Sequence, residues 1–251
     1  MKPDLKDHYI LVTGAGRGLG RHLALHLASC GAIVGAWDID APSVEETAAL
    51  VQAAGGQAHA YTGDVSHPGT FTLVSDSFAK LGGRIDAIVN NAMVLKYGPV
   101  ETVEDNLLST MLDVGIKPVF WAAQALLKHM DKSRGARMIN MASPVCNRGY
   151  PNTSAYTAAK TAIVGVTRVL AAELGPRNIR VNCVSPASVP TPGALGLNDK
   201  KEYERRTTTI PLRRLGTEED NSNAIGILLS KEMDFVNGEV FNIDGGVAAS
   251  M

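Results

Sequence analysis

The chain has 251 residues, 45% of them hydrophobic and 20% charged, with a formal net charge of −1. That length suits one large α/β domain, and the near-neutral balance gives no electrostatic basis for binding nucleic acid or an anionic membrane. Cys30, Cys146 and Cys183 are too few and too widely spaced for a disulfide framework and suit a reducing, cytoplasmic compartment, while no uncharged apolar run is long enough to predict a signal peptide or a membrane span.

In chain order, short β-rich runs predict strands over 9–13, 33–37, 58–62, 87–90, 137–141, 180–185 and 240–243. Helical patterns fall between them at 20–29, 42–54, 69–81, 104–132, 154–174 and 218–231. Gly31, Gly55-Gly56 and Gly82-Gly83 stand where helices should stop, and Pro42 suits a first helical turn. This alternation predicts a single α/β domain over 1–251, a doubly wound, mostly parallel sheet of about seven strands with helices on both faces. The exception is 186–212, long and irregular, with Pro186, Pro190, Pro192 and Pro211. A connection of that length predicts a substrate lid, at about 187–212.

The first strand runs into T-G-A-G-R-G-L-G, Thr13 to Gly20, and then into a helix. Gly14 permits the tight turn, Gly18 lets the backbone approach a pyrophosphate, and Gly20 allows close packing of helix on sheet. Gly16, Arg17 and Leu19 complete this nucleotide-binding loop. The opening helix offers unsatisfied N–H groups and a positive dipole end to phosphates. Asp38 ends the second strand, where a carboxylate can accept hydrogen bonds from the adenosine ribose hydroxyls and repel the extra phosphate of NADP. Asp40 adds to that repulsion. Arg17 opposes it, because a basic residue in the loop could meet that phosphate. The acid at the strand end weighs more, so the expected cofactor is NAD, with NADP as the alternative.

Further along, M-A-S ends at Ser143, and Y-T-A-A-K runs from Tyr156 to Lys160. A tyrosine and a lysine four apart share one helix face, so the ammonium can sit beneath the phenol. A free phenol has a pKa of about 10 and is a poor base at neutral pH. A fixed positive charge nearby is expected to move that value toward the working range. Ser143 could then hold a substrate oxygen while Tyr156 exchanges a proton with it.

Together these segments resemble the short-chain dehydrogenase/reductase family over nearly the whole chain. The resemblance extends to Asp64-Val65 after the third strand, Asn90-Asn91-Ala92 after the fourth and Ile243-Asp244-Gly245-Gly246 near the C-terminus. It implies a Rossmann fold and NAD(P)-dependent hydride transfer between a small-molecule alcohol and a carbonyl compound. By the same resemblance Ser143, Tyr156 and Lys160 are catalytic, and Lys160 also binds the nicotinamide ribose. Asp64 and Val65 meet the adenine, Pro186 and Thr191 hold the nicotinamide carboxamide, and Asn91, Ala92, Val114 and Val189 are further cofactor-side positions. The family commonly forms homotetramers or homodimers, which here implies association through the helices at 104–132 and 154–174.

Three positions depart from the family pattern. Met93 replaces the glycine of Asn-Asn-Ala-Gly, narrowing the space beside the nicotinamide or substrate, and Ala187 replaces the glycine usual after Pro186. Gly115 stands where the family usually carries a catalytic asparagine that supports a water linking the lysine to solvent. A glycine leaves room for a water, and Pro118 prevents regular hydrogen bonding in the same turn. The expectation is retuned proton transfer with the triad intact, and a gain in turnover in Gly115→Asn.

Other features read as less specific. His22 and His26 share a helix face without a third ligand, so a helix surface is expected and no metal site. Lys200, Lys201, Arg205, Arg206, Arg213 and Arg214 crowd the lid with Glu202 and Glu204; one of the cations could bind a substrate carboxylate, though a solvated surface is the default. Val94, Leu95, Pro144, Val145 and Tyr150 are the expected pocket walls. The competing reading is a nucleotide-binding protein of the same fold that has lost catalysis through Gly115; a dehydratase or epimerase is a more distant third.

Overall fold

A computed structural model describes residues 2–191 and 200–250; the predicted lid therefore falls partly outside the described residues, as do Pro192 and the side chain of Lys200. Seven strands form one parallel sheet in the order β3-β2-β1-β4-β5-β6-β7. They are β1 (Tyr9–Thr13), β2 (Ile33–Asp38), β3 (Gln57–Thr62), β4 (Ala87–Asn90), β5 (Ala136–Met141), β6 (Ile179–Pro186) and β7 (Val240–Ile243). The helices are α1 (Gly18–Ser29), α2 (Ala41–Ala53), α3 (Pro68–Ala79), α4 (Asp105–Gly115), α5 (Lys117–His129), α6 (Ser154–Leu174), α7 (Lys200–Thr209) and α8 (Glu218–Leu228).

The strands form because runs of Val, Ile, Leu and Ala can be buried on both faces of a parallel sheet. Their period of two divides the core. Ile10, Val12, Val34, Val89 and Ile139 face a layer that includes Leu23, Leu27, Val44 and Ile225 of α1, α2 and α8. Leu11, Ile88, Met138 and Val181 face the other layer, with Phe71, Phe78, Val119, Leu126, Ile163 and Leu170 of α3, α5 and α6. At about 25 cal/mol per Å² of apolar surface, each of these side chains contributes roughly 1.5–3 kcal/mol on burial.

One predicted helix is divided. The pattern over 104–132 reads as a single helix, whereas α4 ends at Gly115 and α5 starts at Lys117. Pro118 has no N–H to give to the carbonyl of Val114, and its ring crowds that carbonyl, so the hydrogen-bond ladder stops there. Ile116 marks the break, with φ −113° and ψ −48°.

Because every strand runs the same way, all their carboxyl ends lie along one edge of the sheet. β1 pairs with β2 on one side and β4 on the other, so the chain reverses its direction of winding beside β1. A crevice opens at such a reversal, outside the carboxyl ends of the strands.

Candidate active site

The glycine loop fills that crevice. Gly14 and Gly18 take φ values of 66° and 52°, which a side chain disfavours. A Cβ on Gly20 would collide with the carbonyl of Gly14 and crowd the Asn91 amide, so this glycine serves close approach of helix to loop as well as to the sheet. The first turn of α1 carries no acidic residue, and its N-cap, Arg17, makes no capping bond with its side chain. The N–H groups at that end therefore remain available to an anion, as a dinucleotide phosphate requires.

Two staples fix the loop. Thr13 Oγ1 accepts from the backbone N–H of Asn91 at 3.0 Å and of Ala92 at 3.1 Å, while Asn91 Nδ2 donates to the carbonyls of Thr13 and Gly14 at 3.0 and 3.2 Å. These bonds join the loops after β1 and β4 across the crevice. On the other side Asp38 Oδ2 accepts from Gly16 N at 2.8 Å, and Oδ1 accepts from Asp40 N at 3.1 Å. A Cβ at Gly16 would lie 2.9 Å from the Asp38 carboxylate, so Gly16 and Asp38 are matched to each other. Arg17 is exposed. The arginine that holds the loop is Arg21, which donates to the Gly16 carbonyl through Nε at 2.9 Å and Nη2 at 2.5 Å and pairs with Glu46 at 2.6 Å.

Ser143, Tyr156 and Lys160 come together at the carboxyl end of β5. Ser143 is buried just beyond that strand, and α6 presents Tyr156 and Lys160 one turn apart. Lys160 is 4% exposed, its Nζ donates to the Met141 carbonyl at 2.5 Å, and it lies 5.7 Å from the centroid of the Tyr156 ring. The expected lowering of the phenol pKa is overturned. Burial raises the Tyr156 pKa, Tyr97 and Cys146 add to the rise, and the hydrogen bond with Ser143 opposes it. Burial also lowers Lys160 to about 8, against smaller opposing contributions from Cys146 and Cys183. The ammonium turns to a backbone carbonyl beneath the ring, so desolvation of the phenol outweighs its pull. Burial thus favours the protonated form of the Tyr156 phenol.

Tyr97 was not singled out by the sequence. It packs edge-on against Tyr156 with ring centroids 5.5 Å apart, and its own pKa is raised by burial, with Arg206 opposing. An aromatic six residues beyond Asn91, in the loop that leaves the crevice, was the available signal. Arg206 of α7 donates to Ser188 Oγ at 2.8 Å and to Glu202 at 2.8 Å, bringing the lid helix to the loop after β6. Arg205 also pairs with Glu202, and Arg214 with Asp220, so ion pairs hold several of the lid cations.

The space expected for a water at Gly115 is bordered by Met93 and Ala159. A Cβ at Gly115 would lie 3.2 Å from Met93 Sδ, 3.5 Å from Met93 Cε and 3.2 Å from Ala159 Cβ. Met93 thus turns its thioether toward α4, and two of the departures from the family pattern occupy one volume. An asparagine at 115 would need Met93 or Ala159 to give by a few tenths of an ångström, so the outcome of the single substitution depends on whether Met93 yields.

Of the remaining positions, Asp64 Oδ1 accepts from Ser66 N at 2.8 Å and Val65 is buried beyond β3. Pro186 ends β6, Val189 is buried, and Thr191 N donates to the Val189 carbonyl at 2.8 Å. Val145 is buried, whereas Val94, Leu95, Pro144 and Tyr150 are half-buried. His22 and His26 are not a free surface. His22 Nδ1 lies 3.0 Å from Ser222 Oγ of α8, and burial lowers the His26 pKa. Among the described residues no cluster of three or more His, Cys, Asp or Glu could hold a metal ion, and no helix is long and apolar enough to cross a membrane.

Comparison with known proteins agrees with this geometry. Residues 14–248 match the family model described as enoyl-(acyl carrier protein) reductase. The chain is 33% identical over 254 residues to 2-(S)-hydroxypropyl-CoM dehydrogenase 3 of Xanthobacter autotrophicus, covering 99% of this chain and 100% of the relative. It is also similar to the structure of 3-ketoacyl-(acyl-carrier-protein) reductase from Brucella melitensis complexed with NADH, with a TM-score of 0.90, 30% identity and coverage of 97% and 99% of the two chains. A short-chain dehydrogenase from Burkholderia cenocepacia in complex with NADP gives a TM-score of 0.90 at 29% identity, again covering 97% and 99%. The chain belongs to the short-chain dehydrogenase/reductase family, NAD(P)-dependent oxidoreductases acting on CH–OH and C=O groups.

Proposed function

We propose that this protein interconverts a secondary alcohol and a ketone, with NAD preferred over NADP. The observation that carries the reading is the grouping of Ser143, Tyr156 and Lys160 beside the crevice that holds the glycine loop. A bound nicotinamide supplies or accepts the hydride. Tyr156 exchanges the proton at the substrate oxygen, Ser143 holds that oxygen by hydrogen bonding, and the Lys160 ammonium stabilises the phenolate and binds the nicotinamide ribose. Burial favours the protonated phenol, so Tyr156 is the group that would give its proton to the substrate oxygen in carbonyl reduction.

Gly14, Gly16, Arg17, Gly18, Leu19 and Gly20 cradle the pyrophosphate, and Asp38 takes the adenosine ribose. Asp64 and Val65 flank the adenine; Asn91, Ala92, Pro186, Val189 and Thr191 lie on the nicotinamide side. The preference for NAD rests on the Asp38 carboxylate, whose charge disfavours a ribose phosphate. The segment at about 187–212 acts as the substrate lid. Exposed Phe120 on α5 and Val169 on α6 support association into a homotetramer or homodimer. The free thiols of Cys30, Cys146 and Cys183 suit the cytoplasm.

The test is a panel of ketones, secondary alcohols, sugars and hydroxy acids assayed with each nucleotide. Turnover of at least one carbonyl or alcohol, with higher kcat/KM for NAD, is expected. Nucleotide binding without turnover across the panel contradicts the proposal.

A further inference from the structure

One line of polar side chains crosses the apolar layer between the sheet and α6. Asn90, Asn140 and Cys183 are neighbours in register on β4, β5 and β6. Strand alternation turns Asn140 to the α6 side, because Met138 faces that layer while Ile139 and Met141 face the other. Asn140, Thr167 and Cys183 are wholly buried. Asn90 Nδ2 donates to Asn140 Oδ1 at 2.8 Å, Asn140 Nδ2 donates to Thr167 Oγ1 at 2.8 Å, and Thr167 Oγ1 lies 3.1 Å from Cys183 Sγ.

This line joins the two halves of the site. At one end Asn90 precedes Asn91, whose Nδ2 donates to the Gly14 carbonyl of the glycine loop at 3.2 Å. At the other end Thr167 lies on α6, about two turns beyond Lys160. The carbonyl that accepts from Lys160 Nζ, at 2.5 Å, belongs to Met141, the residue after Asn140. Adjacent positions on β5 thus hold α6 at two points. All other buried residues of α6 are apolar. Apolar contacts press the helix onto the sheet but are not directional, so they fix its height less sharply than a hydrogen bond does. Burial raises the Cys183 pKa, and the bond with Thr167 and the Lys160 charge oppose the rise, so the far end of the line returns toward the ammonium.

We propose that Asn140 and Thr167 are positioning residues whose hydrogen bond sets the height of α6 on the sheet, and so places Lys160 and Tyr156 relative to the cofactor loops. Both act through Lys160. A slide of α6 along the sheet leaves the Asn140 amide and the Thr167 hydroxyl buried without partners, which opposes the slide. Misplacement of reacting groups by about 1 Å can cost 100-fold in rate, so a fixed height matters to hydride transfer. The kinetic consequence rests on the reaction proposed above.

Two measurements test this. The first compares kcat, nucleotide affinity and thermal midpoint in the wild type, Thr167→Val and Thr167→Ser. Valine keeps the shape and removes the hydroxyl, whereas serine keeps the hydroxyl and loses the methyl. Thr167→Val is expected to lower kcat about tenfold or more, with nucleotide affinity near that of the wild type. Thr167→Ser is expected to retain kcat even where its thermal midpoint falls. An unchanged kcat in Thr167→Val, or an equal fall in Thr167→Ser, overturns the proposal, since a role in stability alone does not divide the two variants in this way.

The second measurement is the crystal structure of the wild type with nucleotide and of Thr167→Val, which needs no turnover. In Thr167→Val, Lys160 Nζ is expected to leave hydrogen-bonding distance of the Met141 carbonyl; an unmoved Lys160 overturns the proposal. Should Thr167→Val fail to fold, Thr167→Ala takes its place in both measurements. A wild-type complex without the Asn140–Thr167 bond overturns the proposal whatever the variants do. If the wild type turns over no carbonyl or alcohol with either nucleotide, the reaction assigned above fails, while the crystal structures still decide the roles of Asn140 and Thr167.

Discussion

Replacing Lys160 with methionine should stabilise the nucleotide-free protein relative to wild type near neutral pH, and the advantage should shrink as the pH rises. The buried ammonium has its pKa lowered from 10.5 to about 8, mainly by desolvation. One pKa unit is about 1.36 kcal/mol, so the native state carries a cost of roughly 3 kcal/mol at pH 7, where both folded and unfolded chains hold the proton. Between about pH 8 and 10.5 the native lysine releases its proton while the unfolded chain retains it. In that window the unfolded state binds more protons, and wild-type stability rises with pH. By about pH 9.5 the cost falls to roughly 1 kcal/mol.

Methionine also removes the hydrogen bond to the Met141 carbonyl, at a cost of about 1–3 kcal/mol that varies little with pH. The difference between two pH values therefore isolates the charge. Urea unfolding of both proteins at one concentration, at about pH 7 and about pH 9.5, should show the Lys160→Met minus wild-type stability falling by roughly 2 kcal/mol. A difference that stays constant or grows with pH would refute the argument that Lys160 is held charged against desolvation.

Three further outcomes follow from the site. Ser143→Ala should lower kcat about 100-fold, because a hydrogen bond to the reacting oxygen is lost, with KM much less affected. Gly20→Ala should destabilise the protein by roughly 1–3 kcal/mol in a thermal melt and weaken nucleotide binding, since the added methyl strikes the Gly14 carbonyl; a variant as stable as wild type would show that the loop yields easily. Asp38→Ser should move the kcat/KM ratio about tenfold or more toward NADP, equivalent to about 1.4 kcal/mol, and an unchanged ratio would remove Asp38 as the selecting group.

Much of the fold was legible because its signals are local. Runs such as Ile10-Leu11-Val12 and Ala87-Ile88-Val89 mark buried strands, and the glycines around Arg17 mark a strand entering a helix. The grouping of Ser143 with Tyr156 and Lys160 was legible from residue type and spacing, because β5 and α6 follow each other in the chain. What escaped depends on contacts between distant segments. Tyr97 meets Tyr156 only once the loop after β4 folds toward α6, a contact that its place six residues beyond Asn91 hints at without specifying.

The same holds for electrostatics. Helical spacing brings Lys160 near Tyr156, but the Met141 carbonyl that accepts its hydrogen bond belongs to another element, and burial reverses the expected shift of the phenol. Met93 and Gly115 read separately as two losses, one of space and one of a polar side chain. Folded, Met93 lies against the place where a side chain at 115 would begin. The break at Ile116 was foreshadowed by Pro118, yet the apolar pattern continues through it, because α4 and α5 both turn an apolar face to the core.

The most direct measurement of the central claim is hydride transfer by Tyr156→Phe against wild type, followed through nicotinamide absorbance, with nucleotide affinity measured on both by calorimetry. If Tyr156 is the acid and base at the substrate oxygen, the variant binds nucleotide with near wild-type affinity while kcat falls by about 100-fold or more. Undiminished turnover in a folded Tyr156→Phe protein would contradict the account.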